Sequence, residues 1–124
     1  MPDTSSHYLA AQVTAVRIQV APHPGQAQVS PDDLGQAGAR VDRLKLDAIQ
    51  MEYLTAEVLR AALDCAQAGG SMPGGKLLGC EFTEHGLRLG LERSYRAQAR
   101  LAPDRRRRIE LVEEANSVRP RTWV

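Results

Sequence analysis

The sequence predicts an all-α fold, with about five helices stacked as antiparallel helical hairpins in one domain over residues 1–124. Three observations predict it. Apolar residues recur three and four apart through five segments, the spacing that lines side chains along one helix face. Alternating apolar and polar runs, which mark half-buried strands, are nearly absent. Short breaks carrying Pro and Gly separate the segments, and short connections make consecutive helices antiparallel neighbours. Hydrophobic residues make up 43% of the chain, enough for a core. Aromatics make up only 4%, so that core must be built from Leu, Val, Ile and Ala.

The first helix is expected over about residues 5–21. Leu9, Val13, Val16 and Val20 fall on one face, and Ser5 or Ser6 can cap the start. Pro22, Pro24 and Gly25 end it. The second, over 31–44, has a strong start in Ser30-Pro31-Asp32-Asp33: Ser caps, Pro loses nothing in the first turn, and the acids face the helix dipole. Leu34, Ala37, Val41 and Leu44 form its buried stripe, and Gly35 and Gly38 allow a neighbour to come close. The third, over 48–68, is the most apolar. Its wide arc, including Leu54, Val58, Leu59, Ala62 and Leu63, predicts a central helix contacted from two sides, ended by Gly69-Gly70.

Residues 71–82 read as an ordered loop packed down through Leu77, Leu78, Cys80 and Phe82; a short strand there would have no obvious partner. The fourth helix, over 83–101, is capped by Thr83. It carries two stripes: Leu87, Leu91 and Tyr95, and then Gly86, Gly90 and Ser94, whose bare backbone lets another helix lie close. A corner at Ala102-Pro103-Asp104 leads to the fifth, over 104–118, with Ile109, Leu111, Val112, Ala115 and Val118 as its apolar residues. Arg119-Pro120 stops it, because a residue before proline avoids the α region. Consecutive helix pairs read as a divergent tetratricopeptide-like array. Ala115 and Pro120 stand where such a repeat closes, but the Trp-Leu-Gly-Tyr half before them is missing.

Composition excludes several function classes. The formal net charge of +1 provides no global field toward nucleic acid or a membrane surface. No stretch approaches the roughly 20 apolar residues of a membrane helix. The N-terminus lacks the basic and apolar regions of a secretory signal. Two cysteines, Cys65 and Cys80, make no disulfide framework or zinc ribbon, so a reduced, cytoplasmic setting is expected. His7, His23 and His85 are scattered without metal-ligand spacing, so neither a metal nor a cofactor is expected. Cys80 and His85 lack a third, orienting group, and packing is the better account of both.

Two segments invite a sharper reading. Gly70 to Lys76 matches the first seven positions of a phosphate-binding loop. Leu77 stands where Ser or Thr would hold magnesium, Pro73 removes an N–H from the cradle, and a helix precedes it instead of a strand. An interhelical loop is the reading these departures favour. Arg105 to Arg108 crowd the first turns of the fifth helix, where positive charge opposes the dipole, so they hint at contact with another surface. A helix spreads four consecutive residues around its circumference, so they do not form one patch, and Glu110, Glu113 and Glu114 offer partners, which makes a solvated charged face the plainer reading of the run. If the run does meet another surface, the candidate partner interface is Arg105, Arg106, Arg108 and Arg119, with Trp123, the only tryptophan, either docked on the domain or awaiting a partner. A small helical regulator gripping nucleic acid through Arg105–Arg108, Arg119 and Arg121 is the alternative.

Leu78 to Pro120 resembles the C-terminal tetratricopeptide region of actinobacterial protein kinase G-like serine/threonine kinases. The resemblance rests on Leu78-Gly79, Phe82-Thr83, His85-Gly86-Leu87-Arg88-Leu89-Gly90, Glu92, Ala99-Arg100, Ala102-Pro103, Leu111-Val112, Ala115-Asn116 and Val118-Arg119-Pro120. A weaker echo lies at His7-Tyr8, Ala10-Ala11, Thr14 to Arg17 and Ala61-Ala62-Leu63. The rubredoxin-like CxxC pairs and the kinase motifs of that family are absent from this sequence. The resemblance therefore implies a non-catalytic terminal region of a larger kinase. It implies packing on the kinase domain of the same polypeptide, self-association, and an influence on the kinase's protein substrates.

Overall fold

Four of the helices begin where a side chain takes over a backbone N–H that the helix itself cannot satisfy. The computed structural model describes residues 4–21, 29–44, 47–68 and 75–120. Along them run α1 (Thr4–Gln19), α2 (Pro31–Arg43), α3 (Ala48–Gln67), β1 (Lys76–Leu77), β2 (Cys80–Glu81), α4 (Glu84–Leu101) and α5 (Arg105–Val118). Ser30 Oγ accepts from the Asp33 N–H at 3.1 Å, and Thr83 Oγ1 from the Gly86 N–H at 3.1 Å, as the sequence predicts. Asp104 caps α5 by accepting from the Arg106 N–H. Asp47 and Gln50 form a reciprocal capping box at the head of α3, a start the apolar pattern alone does not reveal. Each such cap is worth about 1 kcal/mol. α1 begins at Thr4, one residue before the expected start, so Ser5 and Ser6 fall within its bounds. The expected terminators Pro22, Pro24, Gly25, Gly69 and Gly70 lie outside the described residues.

Long-range bonds show that consecutive helices run antiparallel. Gln19 meets Gln36 while Gln12 meets Arg40, so α1 and α2 oppose each other. The Cys65 thiol at the end of α3 reaches the Val29 carbonyl just before α2. Glu52 near the start of α3 meets Ser94 and Gln98 late in α4. Arg88 near the start of α4 meets Val118 at the end of α5. The helix with the wide apolar arc is central as predicted: α3 packs against α1, α2 and α4. Val58, Leu59 and Ala62 are fully buried within it, and Leu63 nearly so.

The segment before α4 departs from the expected loop. It is an antiparallel hairpin in register Lys76↔Glu81 and Leu77↔Cys80, closed by Leu78 and Gly79 at φ 50° and 80°. Two successive left-handed residues match the right-handed twist of flanking strands, which is why so short a hairpin can close. The partner strand lies within the same stretch, and two residues per strand are too few to show alternation.

The hairpin also changes the reading of the glycine stripe on α4. Gly86 faces the hairpin instead of another helix, while Gly90 faces both the hairpin and α3, where Leu59 Cδ1 would lie 3.1 Å from an added methyl group. A methyl group on Gly86 would meet the backbone of Glu81, whose carbonyl carbon would lie 3.0 Å away, and one on Gly90 would run into Cys80 Sγ. The third position, Ser94, faces α3 as well. On α2, Gly38 admits the buried Leu77 side chain. Gly35 has open space around it and serves no close approach.

Candidate interaction surface

The corner at Ala102-Pro103-Asp104 folds α5 back along α4, and three arginines fasten the pair. Arg88 Nη1 donates to the Val118 carbonyl at 3.4 Å. Arg96 Nη2 donates to Asn116 Oδ1 at 3.0 Å while paired with Glu92 at 2.8 Å. Arg108 Nη2 donates to the Ala102 carbonyl at 3.3 Å. Arg108, selected from the sequence as a partner contact, is thus engaged in holding its own corner.

The remaining predicted interface residues do not form one patch. Arg106 is 89% exposed and shares Glu110 with Arg107, at 3.7 and 3.3 Å. Exposed pairs of this kind contribute about 0–1 kcal/mol. Arg105 is exposed and has no partner among the described residues. Arg119 sits at the far end of α5, about 20 Å from Arg105 by the helical rise. Trp123 lies outside the described residues.

The structure exposes two features that sequence reasoning missed. The first is the outer face of α5. Only Leu111, Ala115 and Val118 of its apolar residues are buried; Ile109 and Val112 are 49% and 37% exposed. Arg105, Ile109, Val112 and Asn116 follow a 4-3-4 spacing and therefore share a face.

The second is a groove of about 290 Å³ between α3 and α5, floored by α4. Tyr53, Ala56, Glu57 and Arg60 line it from α3, Tyr95 and Gln98 from α4, and Arg107, Leu111 and Glu114 from α5. Its rim extends onto α1, where Arg17 stacks over the Tyr53 ring at 5.5 Å, hydrogen-bonds the Tyr53 hydroxyl and pairs with Glu57 at 3.5 Å. Burial pushes the Tyr95 phenol up; Arg60 opposes that shift and Glu114 adds to it. Arg107 is the arginine of the run that the predicted partner interface omits, yet it is the one that lines the groove. The signal was present: Arg107, Leu111 and Glu114 follow a 4-3 spacing around a buried leucine.

These surfaces are suited to contact. Cys80 is half-buried, its thiol 3.8 Å from the Leu78 carbonyl, and burial pushes its ionisation up against the opposing charges of Arg93 and Lys76. That favours the neutral thiol over a nucleophilic thiolate. Lys76 stands in β1, whereas a phosphate-loop lysine stands at the head of a helix. Among the described residues, no cluster of His, Cys, Asp or Glu has the arrangement of a metal site, and no helix is long and apolar enough to cross a membrane.

Comparison with known proteins agrees with the helical hairpins. A family model described as protein kinase G tetratricopeptide repeat matches residues 1–122. The chain is 37% identical over 120 residues to the serine/threonine-protein kinase PknG of Mycolicibacterium smegmatis. It is 35% identical over 120 residues to the serine/threonine-protein kinase PknG of Mycobacterium leprae. Each alignment covers 97% of this chain and 16% of the relative, so the chain spans about a sixth of the length of the curated relatives it matches.

Proposed function

We propose, given that this chain belongs to the protein kinase G tetratricopeptide repeat family, that it is a non-catalytic interaction and regulatory domain of a serine/threonine kinase. In this reading it packs on the kinase domain of its own polypeptide in the cytoplasm, associates with a second copy of itself, and through those contacts biases which protein substrates the kinase engages. The observation that carries the reading is the outer face of α5. That helix packs on α4 along one side and leaves Ile109 and Val112 exposed beside Arg105, which has no partner among the described residues. An exposed pair of aliphatic side chains next to an arginine has the composition of an interface core with its rim. The groove between α3 and α5 supplies a second, mixed-charge surface with two tyrosines. Titration of the purified chain against the kinase domain of the same polypeptide, and dilution of the chain alone, test the reading. Saturable association in the micromolar range supports it. Association with neither partner refutes it.

A further inference from the structure

A cavity of about 860 Å³ opens between the head of α4 and the foot of α5, lined by Glu84, His85, Arg88, Asn116, Ser117, Arg119 and Pro120. It shares no lining residue with the groove described above. Its chemistry is one-sided. Arg88 is held with only 25% of its side chain exposed, Nε on Glu84 Oε1 at 3.3 Å and Nη1 on the Val118 carbonyl at 3.4 Å. Those two bonds fix the plane of the guanidinium and leave Nη2 without a partner among the described residues. Asn116 accepts from Arg96 through Oδ1, which leaves its amide nitrogen as a donor. Arg119 and His85 are exposed, and no described residue engages their side chains. Two guanidinium groups thus face a single carboxylate, Glu84, with an amide and an imidazole beside them.

We infer that this cavity binds an oxyanion group presented by a protein partner, either the carboxylate of an acidic side chain or the phosphate of a phosphorylated residue. A planar guanidinium whose orientation is already fixed loses little freedom when it grips such a group, and it matches carboxylate and phosphate in a two-pronged fashion. Arg119 adds a second charge. Glu84 opposes the anion and holds Arg88 in place, so it sets the strength of the site. Arg88 and Asn116 have a structural use in joining α4 to α5; Arg119 and His85 have none in the described structure.

The test follows backbone amide shifts of the whole chain during titration with three probes: inorganic phosphate, a short phosphoserine peptide, and the same peptide with glutamate in place of phosphoserine. The expected result is saturable shifts at His85, Arg88, Asn116 and Arg119. Arg119→Gln should weaken binding severalfold. Glu84→Gln should tighten it severalfold, because a repelling charge is removed. Both side chains are exposed, so circular dichroism and the melting temperature should confirm an unchanged fold. Saturation by the phosphorylated probe alone assigns the site to phosphate; saturation by both peptides shows that a carboxylate suffices. No saturation with any probe, or affinities that neither variant moves, would overturn the inference. The outcome is independent of the kinase-domain titration, which is read through Ile109 and Val112.

Discussion

The hydroxyl of Ser94 donates to the backbone carbonyl of Glu52 at 2.8 Å, across the contact between α4 and α3. The Gln98 amide reinforces it, donating to the same carbonyl at 3.3 Å and to Ser94 Oγ at 3.4 Å. Both side chains are almost wholly buried, Ser94 at 2% and Gln98 at 4% exposure. A buried polar group is tolerated when it is satisfied, and these two satisfy each other against a helix backbone. Ser94→Ala is expected to lower stability by about 1 kcal/mol, the net worth of one such bond. Ser94→Val adds methyl groups to a seam already filled and should cost about 1–3 kcal/mol. Urea unfolding checks both, read as a shift in midpoint at constant slope.

The helix–hairpin seam gives a coupled prediction. Gly86→Ala sets a methyl against the Glu81 backbone, which has no rotamer to yield, so a loss of about 1–3 kcal/mol is expected. At Gly90 the first obstacle is a side chain, Cys80 Sγ. Cys80→Ala should therefore recover part of the stability lost in Gly90→Ala and none of that lost in Gly86→Ala. A double-mutant cycle on unfolding free energies measures the difference.

Two half-buried groups give the molecule an alkaline weakness. Burial pushes up both the Cys80 thiol and the Tyr95 phenol. A group whose folded pKa lies above its unfolded value holds its proton more tightly in the folded state. Its stabilisation is complete below the unfolded pKa and is lost as pH rises through the folded one. Stability should thus fall through the alkaline range in which cysteine and tyrosine ordinarily ionise. Cys80→Ala and Tyr95→Phe should each flatten that fall. Melting temperature against pH for the three proteins is the check.

Much of the architecture was legible in residue spacing, for a physical reason. A helix of 13 to 20 residues repeats its apolar stripe several times, and Ser30 and Thr83 mark starts by a local bond. The hairpin was hidden because two-residue strands have no period, and only Leu78-Gly79 announces the turn. Periodicity also could not divide the apolar residues of α5 into the buried Leu111, Ala115 and Val118 and the exposed Ile109 and Val112. That division depends on where α4 lies. The groove brings together residues as far apart as Tyr53 and Glu114, and the oxyanion cavity joins His85 to Arg119; neither has a continuous stretch of sequence to signal it. Helix geometry spreads the arginine run around α5, but the direction of each arginine depends on the neighbouring helices: Arg107 lines a groove, Arg108 reaches back to its own corner and Arg106 points into solvent.

The outer face of α5 carries the interaction reading, so the most direct measurement is the affinity of this chain for the kinase domain of its own polypeptide, taken by titration calorimetry. The unaltered chain should bind saturably in the micromolar range. Ile109→Glu with Val112→Glu should abolish binding while leaving the melting temperature nearly unchanged, because both side chains are exposed. An unaltered chain that binds neither that domain nor a second copy of itself at micromolar concentration, or a double variant that binds as tightly as the original, would contradict the account.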